Sequence, residues 1–331
     1  MSPALIKLSS ARQIESVLLA ADRGVDPPSS ELLQSLPLLM DVAEVPGIGM
    51  SVVREGRVVW QHHAGIADIK TRKPVSTDTL WPAASLGKPV FALAVLRLVD
   101  EKKIDLDTPL SRYLPGYTPN EPRANRITAR HVLSHSSGLP NWRDDDSEQL
   151  VPQFEPGSRF RYSGEGFFYL ERVVEHVVGA PFEQFMEQSV FASLGMTSST
   201  YTWRADMPSR VVAGHDRDQS YTVFWQRLGV QLLDDAMLSP QIRIDDALAW
   251  GLGWGLERRS LTMAGARSQS ATNANFIWHW GDNGSWKNFV LAHPATRSAI
   301  VIFTNGSRGL HVAQRIVSAS TGLDHAAFWW L

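Results

Sequence analysis

The sequence predicts an α+β protein in which an antiparallel β-sheet, flanked by helices, is built from both ends of the chain around a mainly helical middle. Three observations predict it. Valine- and isoleucine-rich runs begin at Gly47 in GIGMSVVREGRVVWQHHAGIAD. The span from about 105 to 240 is rich in helical and loop patterns, punctuated by Pro109, Pro115, Pro119, Pro122, Pro140 and Pro156. Strand character then returns at 251–257, 276–279, 288–293 and 299–304, with β-branched and aromatic residues bounded by turn formers. The expected division is a sheet domain from residues 1–80 plus 241–331 and a helical domain from 81–240.

Each element has a local reason. Residues 9–21 and 30–42 are amphipathic stretches, each with a serine available as N-cap. Glu55-Gly56 separates the two β-rich runs and marks a hairpin. KPVFALAVLRLVDEKK is apolar at helical spacing, with Pro89 in a first turn where its missing N–H costs little. Ser85 therefore lies at the mouth of a buried helix. Further helical patterns fall near 128–135, 166–178 and 181–188, and a final helix near 310–320.

Composition excludes several chemistries. Among 331 residues there is no cysteine, which removes disulfide scaffolds, thiolate zinc sites, iron–sulfur clusters and a cysteine nucleophile. Covalent catalysis must then use oxygen or nitrogen. With 32 basic against 34 acidic side chains, a net charge of −2 and a pI near 6.6, no electrostatic footprint suits nucleic acid or an anionic membrane. The N-terminus places Arg12 and Glu15 where a signal peptide needs an unbroken apolar stretch. As given, the chain reads as cytoplasmic; a removed leader would make it periplasmic or secreted. The 12 tryptophans nearly equal the 13 phenylalanines, an unusual excess.

Three segments could carry chemistry. In Ser85-Leu86-Gly87-Lys88, helical i, i+3 spacing puts an amine on the same face as a hydroxyl. A lysine becomes a useful base only where burial depresses its pKa, and helix-terminal N–H groups can hold an oxyanion. The same four residues also read as an N-cap serine followed by an exposed lysine. Tyr162, in RFRYSGEGFFYLERVV, lies between an extended segment and a helix, as a proton-transfer group or as packing. His279-Trp280-Gly281-Asp282 ends a strand, with Gly281 and Gly284 permitting close backbone approach.

Other patterns lead elsewhere. His131 and His135 have i, i+4 spacing, but no glutamate follows His131 as a metalloprotease requires, and they read as core and turn hydrogen-bonding groups. No metal site is expected. No Gly-x-Ser-x-Gly elbow or Walker loop occurs. Gly251, Gly253 and Gly255 alternate without the strand–turn–helix order of a dinucleotide fingerprint and read as close-packing positions. Asp144, Asp145 and Asp146 lack calcium-loop spacing and read as a surface loop.

Taken together, the three segments resemble the serine β-lactamase and penicillin-binding-protein superfamily, in its branch of class C β-lactamases, family VIII carboxylesterases, D-aminopeptidases and DD-peptidases. VPGIGMSVVREGRVVWQHHAGIAD, TDTLWPAASLGKPVFALAVLRLVDEKKIDLDTPLSRYLPGY, ITARHVLSHSSGLPNW, FEPGSRFRYSGEGFFYLERVVE, AWGLGWGLE and HWGDNG carry the likeness. The resemblance implies a β-lactamase/transpeptidase-like fold with its site in the cleft between the domains. It implies Ser85 as acylated nucleophile, Lys88 as its base, Tyr162 as second proton-transfer group and His279 as head of the third motif. The backbone N–H groups of Ser85 and Asp282 would form the oxyanion hole. Trp142, Gly164, Trp280, Gly281 and Trp286 would line the substrate pocket, giving it aromatic walls.

Three departures shape the functional expectation. Gly164 stands where many members have asparagine, and His279 where class C β-lactamases have lysine. The segment 221–243 also lacks the Ser-Thr-Ala-x-Asp stretch often found there. A lost amide and a titratable imidazole weaken recognition of amides and carboxylates. The expectation is therefore a serine acyl hydrolase of small esters with weak or no β-lactam hydrolysis. Its rivals are a D-stereospecific peptidase or amidase and a non-turnover penicillin-binding sensor. The expected partner is a small ester, lactam or amide, with no cofactor, nucleic acid or membrane; oligomeric state is left open.

Overall fold

A computed structural model describes residues 24–119, 121–145, 148–205, 207–215, 235–257 and 275–331. Its elements run α1 (Ser30–Val42), β1 (Gly47–Arg54), β2 (Arg57–Asp68), β3 (Lys73–Pro74), α2 (Gly87–Asp100), α3 (Leu110–Tyr113), α4 (Ala129–Leu133), α5 (Gly164–Val178), α6 (Phe182–Met186) and α7 (Asp235–Leu238). They continue with β4 (Ile242–Arg243), β5 (Leu248–Trp250), β6 (Gly255–Glu257), β7 (Phe276–Asp282), β8 (Lys287–His293), β9 (Ser298–Thr304), α8 (Gly309–Thr321) and α9 (Ala327–Trp330). The expected α+β class, an antiparallel sheet with helices, is what these elements form. The amphipathic stretch at 9–21 and most of 221–243 lie outside the described residues. No helix among the described residues is long and apolar enough to cross a membrane.

The chain divides into two compact units. Of the described residues, the first unit takes 24–86, 203–215 and 275–331. Its sheet runs β3-β2-β1-β9-β8-β7, with every neighbouring pair antiparallel. The β1–β2 hairpin closes at Glu55 and Gly56, with φ of 49° and 72°, the left-handed pair that a two-residue turn of matching twist requires. Strand β9 is buried along its whole length, and α8 packs on β8 and β9.

The second unit takes 87–202 and 235–257. Helix α2 buries residues on all sides, as an apolar sequence without a polar face must. Helix α5 starts at Ser163, whose hydroxyl accepts from the Gly166 N–H at 2.9 Å, and stops at Gly179 with φ 68°, a left-handed C-terminal cap.

This division differs from the expected one at three places, the first being residues 81–86, which fall in the sheet unit. Residues 207–215 belong with the sheet, because Val211 bridges Leu80 and the Ala213 carbonyl accepts from Asn305 Nδ2 at 3.2 Å. Strands β4, β5 and β6 belong with the helical unit, because Gly253 N–H donates to the Leu133 carbonyl at 2.9 Å. The single strand expected at 251–257 is instead a reversal between β5 and β6, with Gly253 at φ 87°. A Cβ at Gly253 would lie 2.6 Å from that of Ala92, and one at Gly251 would lie 2.0 Å from the Met237 carbonyl, so these glycines do serve close packing.

Candidate active site

In the first unit the Ser85 segment is fixed from both sides. The Trp81 ring stacks on Phe303 at 6.2 Å and lies against Gly49, where a Cβ would be 3.2 Å from the indole nitrogen. Asn288 Nδ2 donates to the Pro82 carbonyl at 2.6 Å. Ala84 then takes a left-handed φ of 49°, and Ala84–Leu86 forms a single 3-10 turn. A non-glycine residue in that region stores strain that the surrounding contacts must hold.

The end of β7 packs against this turn. A Cβ on Gly281 would lie 2.3 Å from the Ala83 carbonyl oxygen, so only glycine permits the approach that places the third motif beside the Ser85 turn. His279, fully buried, has its Nδ1 2.7 Å from the Trp280 carbonyl. A carbonyl only accepts, so Nδ1 carries the proton, and in the neutral ring Nε2 is the basic atom. The Asp282 carboxylate is held by Lys287 at 2.6 Å and accepts from the Gly284 N–H at 2.9 Å.

Lys88 stands three residues after Ser85, at the start of α2. Within the second unit, the Tyr201 hydroxyl donates to the Gly87 carbonyl at 2.9 Å and anchors that first turn. The Lys88 ammonium lies 5.1 Å from the centre of the Tyr162 ring and 5.5 Å from that of Phe167, within cation–π range. Burial lowers the Lys88 pKa from its ordinary 10.5 to about 8, because desolvation penalises the charged form. Lys88 is thus a half-buried lysine among aromatic rings and not a fully exposed one.

The start of α5, which follows Tyr162, is sewn to residues 140–143. Asn141 accepts from the Gly164 N–H through its side-chain oxygen at 3.0 Å and from the Glu165 N–H through its carbonyl at 3.0 Å. The Ser163 hydroxyl donates to the Pro140 carbonyl at 2.8 Å, and Arg143 pairs with buried Glu165 at 3.1 Å. Between these ties the Trp142 ring crosses Gly164: a Cβ there would lie 2.6 Å from the ring. Trp142 is 56% exposed and meets the Phe168 ring edge-on at 5.7 Å.

The tryptophans expected to wall the pocket fare differently. Trp280 alternates to the opposite side of β7 from His279 and Gly281 and packs on Trp278 at 5.8 Å and Trp330 at 5.2 Å. Trp286 is buried, its ring over Gly214 where a Cβ would be 2.7 Å away. Trp142 alone of the three is exposed.

The i, i+4 histidines each use Nδ1 on backbone. His131 accepts from the Thr128 N–H at 3.3 Å in a capping box, and His135 from the Ser163 N–H at 3.1 Å. Asn141, His135 and Tyr201 support the site without having been singled out for it. Only their nearness in sequence to Gly-Leu-Pro and to the tyrosine segment hinted at the first two.

An antiparallel sheet with helices, a Ser-x-x-Lys turn and a half-buried lysine against a tyrosine match the pattern of the β-lactamase/transpeptidase-like class. A family model described as Beta-lactamase matches residues 38–230, more than half of the 331 residues, and the chain belongs to that family. Penicillin-binding protein 4* of Bacillus subtilis (strain 168) is 28% identical over 47% of this chain and 38% of its own length. Esterase EstB of Burkholderia gladioli is 32% identical over 44% of each; the chain thus spans less than half the length of either relative. Among solved structures, the beta-lactamase/D-alanine carboxypeptidase of Pseudomonas syringae superposes with a TM-score of 0.72 at 18% identity, covering 87% of this chain and 98% of that one. The octameric penicillin-binding protein homologue of Pyrococcus abyssi gives 0.68 at 18%, covering 90% and 80%. At that identity the likeness is one of fold.

Proposed function

We propose that this protein is a serine acyl hydrolase that cleaves small hydrophobic esters through an acyl-enzyme on Ser85. The observation that carries the reading is the half-buried Lys88 beside Tyr162, its pKa drawn down to about 8 by desolvation. A neutral Lys88 amine takes the Ser85 proton as Oγ forms its bond to the substrate carbonyl carbon. The oxyanion is held by the N–H groups of Ser85 and Asp282. Collapse breaks the ester C–O bond, and the leaving alkoxide takes the phenol proton of Tyr162, leaving a phenolate beside the Lys88 ammonium. Water then attacks the acyl carbonyl, gives its proton to the Tyr162 phenolate, and releases the acid as Ser85 Oγ takes back its proton from Lys88. His279 orients the substrate through its ring.

Two features support esters over lactams and D-peptides. Trp142 offers apolar surface at Gly164, where an amide side chain would bind the substrate amide, and His279, a titratable imidazole where a lysine would stand, gives no fixed cation for a carboxylate. The 32% identity with Esterase EstB points the same way. Turnover of p-nitrophenyl butyrate, benzylpenicillin and D-Ala-p-nitroanilide, with intact-mass detection of a fluorophosphonate adduct, tests both parts. The expected result is ester turnover exceeding the other two by about tenfold or more, with the adduct on Ser85 and none in Ser85→Ala. Faster cleavage of the anilide or penicillin overturns the ester preference. An active Ser85→Ala enzyme overturns the mechanism, and a permanent acyl adduct without turnover identifies a sensor.

A further inference from the structure

His135 lies in the turn after α4, fully buried, with a left-handed φ of 53° that a histidine adopts only under constraint. Its backbone N–H donates to the Val132 carbonyl at 3.0 Å. Its other groups converge on Tyr162. The His135 carbonyl accepts from the Arg161 N–H at 2.7 Å, and its Nδ1 accepts from the Ser163 N–H at 3.1 Å. Between those two bonds the imidazole stacks on the Tyr162 ring, with centroids 4.1 Å apart and planes inclined by 27°. Phe167 and Trp250 close the other sides of the imidazole at 5.1 and 5.2 Å. One residue therefore holds the backbone on both sides of Tyr162 and seats its ring, and the left-handed turn lets its carbonyl and side chain reach the same strand of chain. Accepting at Nδ1 fixes the proton on Nε2.

We propose that His135 is the positioning residue for Tyr162, clamping the peptide groups before and after it so that the phenol is held at the Lys88 amine. The inference rests on the role proposed for Tyr162 in proton transfer. The clamp acts on the geometry of that transfer rather than on substrate binding, so its loss appears in kcat and leaves KM in place. Asparagine is the conservative replacement: its side-chain oxygen sits where Nδ1 sits, one atom beyond Cγ, and it tolerates a left-handed φ.

The test is steady-state kinetics with p-nitrophenyl butyrate on His135→Ala, His135→Asn, Tyr162→Phe and the His135→Ala/Tyr162→Phe double variant, each verified as folded by thermal unfolding. His135→Asn should keep kcat within about threefold, whereas His135→Ala should lose about tenfold or more in kcat with KM moved less than about threefold. In the Tyr162→Phe background the alanine change should cost no more than about twofold further, because its target has gone. A large kcat loss in His135→Asn, a loss carried by KM, or fully additive losses in the double variant overturns the clamp. If Tyr162→Phe is itself fully active, the proton-transfer role fails and the clamp's purpose fails with it. If Tyr162→Phe is inactive while His135→Ala is not, only the clamp fails.

Discussion

Gly164 shows how one missing side chain is made good by residues distant in sequence. The departure from asparagine is visible in the sequence, where it reads only as a lost amide two residues after Tyr162. The structure fills that place from 140–143: the Trp142 ring and the Asn141 carbonyl oxygen stand 2.6 and 2.8 Å from where a Cβ would be. Restoring the family's residue is therefore not a gain of function. Gly164→Asn should destabilise the protein by about 1–3 kcal/mol through overpacking and leave β-lactam turnover unimproved. Chemical denaturation and a nitrocefin assay check both, and an equally stable variant with new lactamase activity would show that the Trp142 loop yields. Ser85, Lys88 and Tyr162 could be singled out from the sequence as candidates because their identity and spacing are the signal, and the structure adds that Lys88 lies 5.1 Å from the Tyr162 ring centre. His135 was not legible, because its part depends on a left-handed φ and on contacts across 28 residues, neither of which a sequence pattern carries.

Elements were legible where local physics decides them. The α1 helix at Ser30–Val42, the α2 helix and the Glu55-Gly56 hairpin all follow from periodicity, caps or turn chemistry. The β5–β6 reversal was not legible, since alternating Gly251, Gly253 and Gly255 suit a strand as well as a turn until Gly253 is seen at φ 87°. Joints between elements are the least legible, and Asn305, just beyond β9, is the clearest in the first unit. Its side-chain oxygen accepts from the Gly47 N–H at 2.6 Å, and its amide nitrogen donates to the Ile66 and Ala213 carbonyls at 3.0 and 3.2 Å. One buried amide thus joins the start of β1, the end of β2 and the 207–215 segment. Asn305→Ala strands several buried backbone groups and should cost about 2–4 kcal/mol, read from urea denaturation. A cost under about 0.5 kcal/mol, the range of an ordinary surface change, would mean that these groups find other partners.

For the whole molecule, composition set limits that local structure later filled. The absence of cysteine left only oxygen and nitrogen nucleophiles, and five of the eleven described tryptophans proved to be core: Trp250 and Trp278 are fully buried and Trp81, Trp254 and Trp286 nearly so, while Trp142, Trp203 and Trp329 are exposed. A stable core is what lets the protein keep one unfavourable group, Lys88, whose pKa is lowered from 10.5 to about 8 by burial. The sign of the linkage follows directly. Between pH 8 and 10.5 the unfolded chain still holds the lysine proton that the folded chain has lost, so this group makes stability rise with pH across that window. Below about pH 8 its full penalty is present. Under the proposed mechanism the same proton governs the rate, since only the neutral amine can accept from Ser85. Acylation should therefore rise about fivefold between pH 7 and 8 and level off near pH 9, following the neutral fraction of a group titrating near 8. Lys88→Met removes the charge, keeps much of the side-chain volume, and separates the two effects. It should abolish turnover while unfolding at a higher temperature than the parent at pH 7, and that advantage should shrink steadily toward pH 10. A methionine variant less stable than the parent at pH 7 would mean that the cation earns more from the Tyr162 and Phe167 rings than it loses by leaving water, and that Lys88 rests protonated in the site.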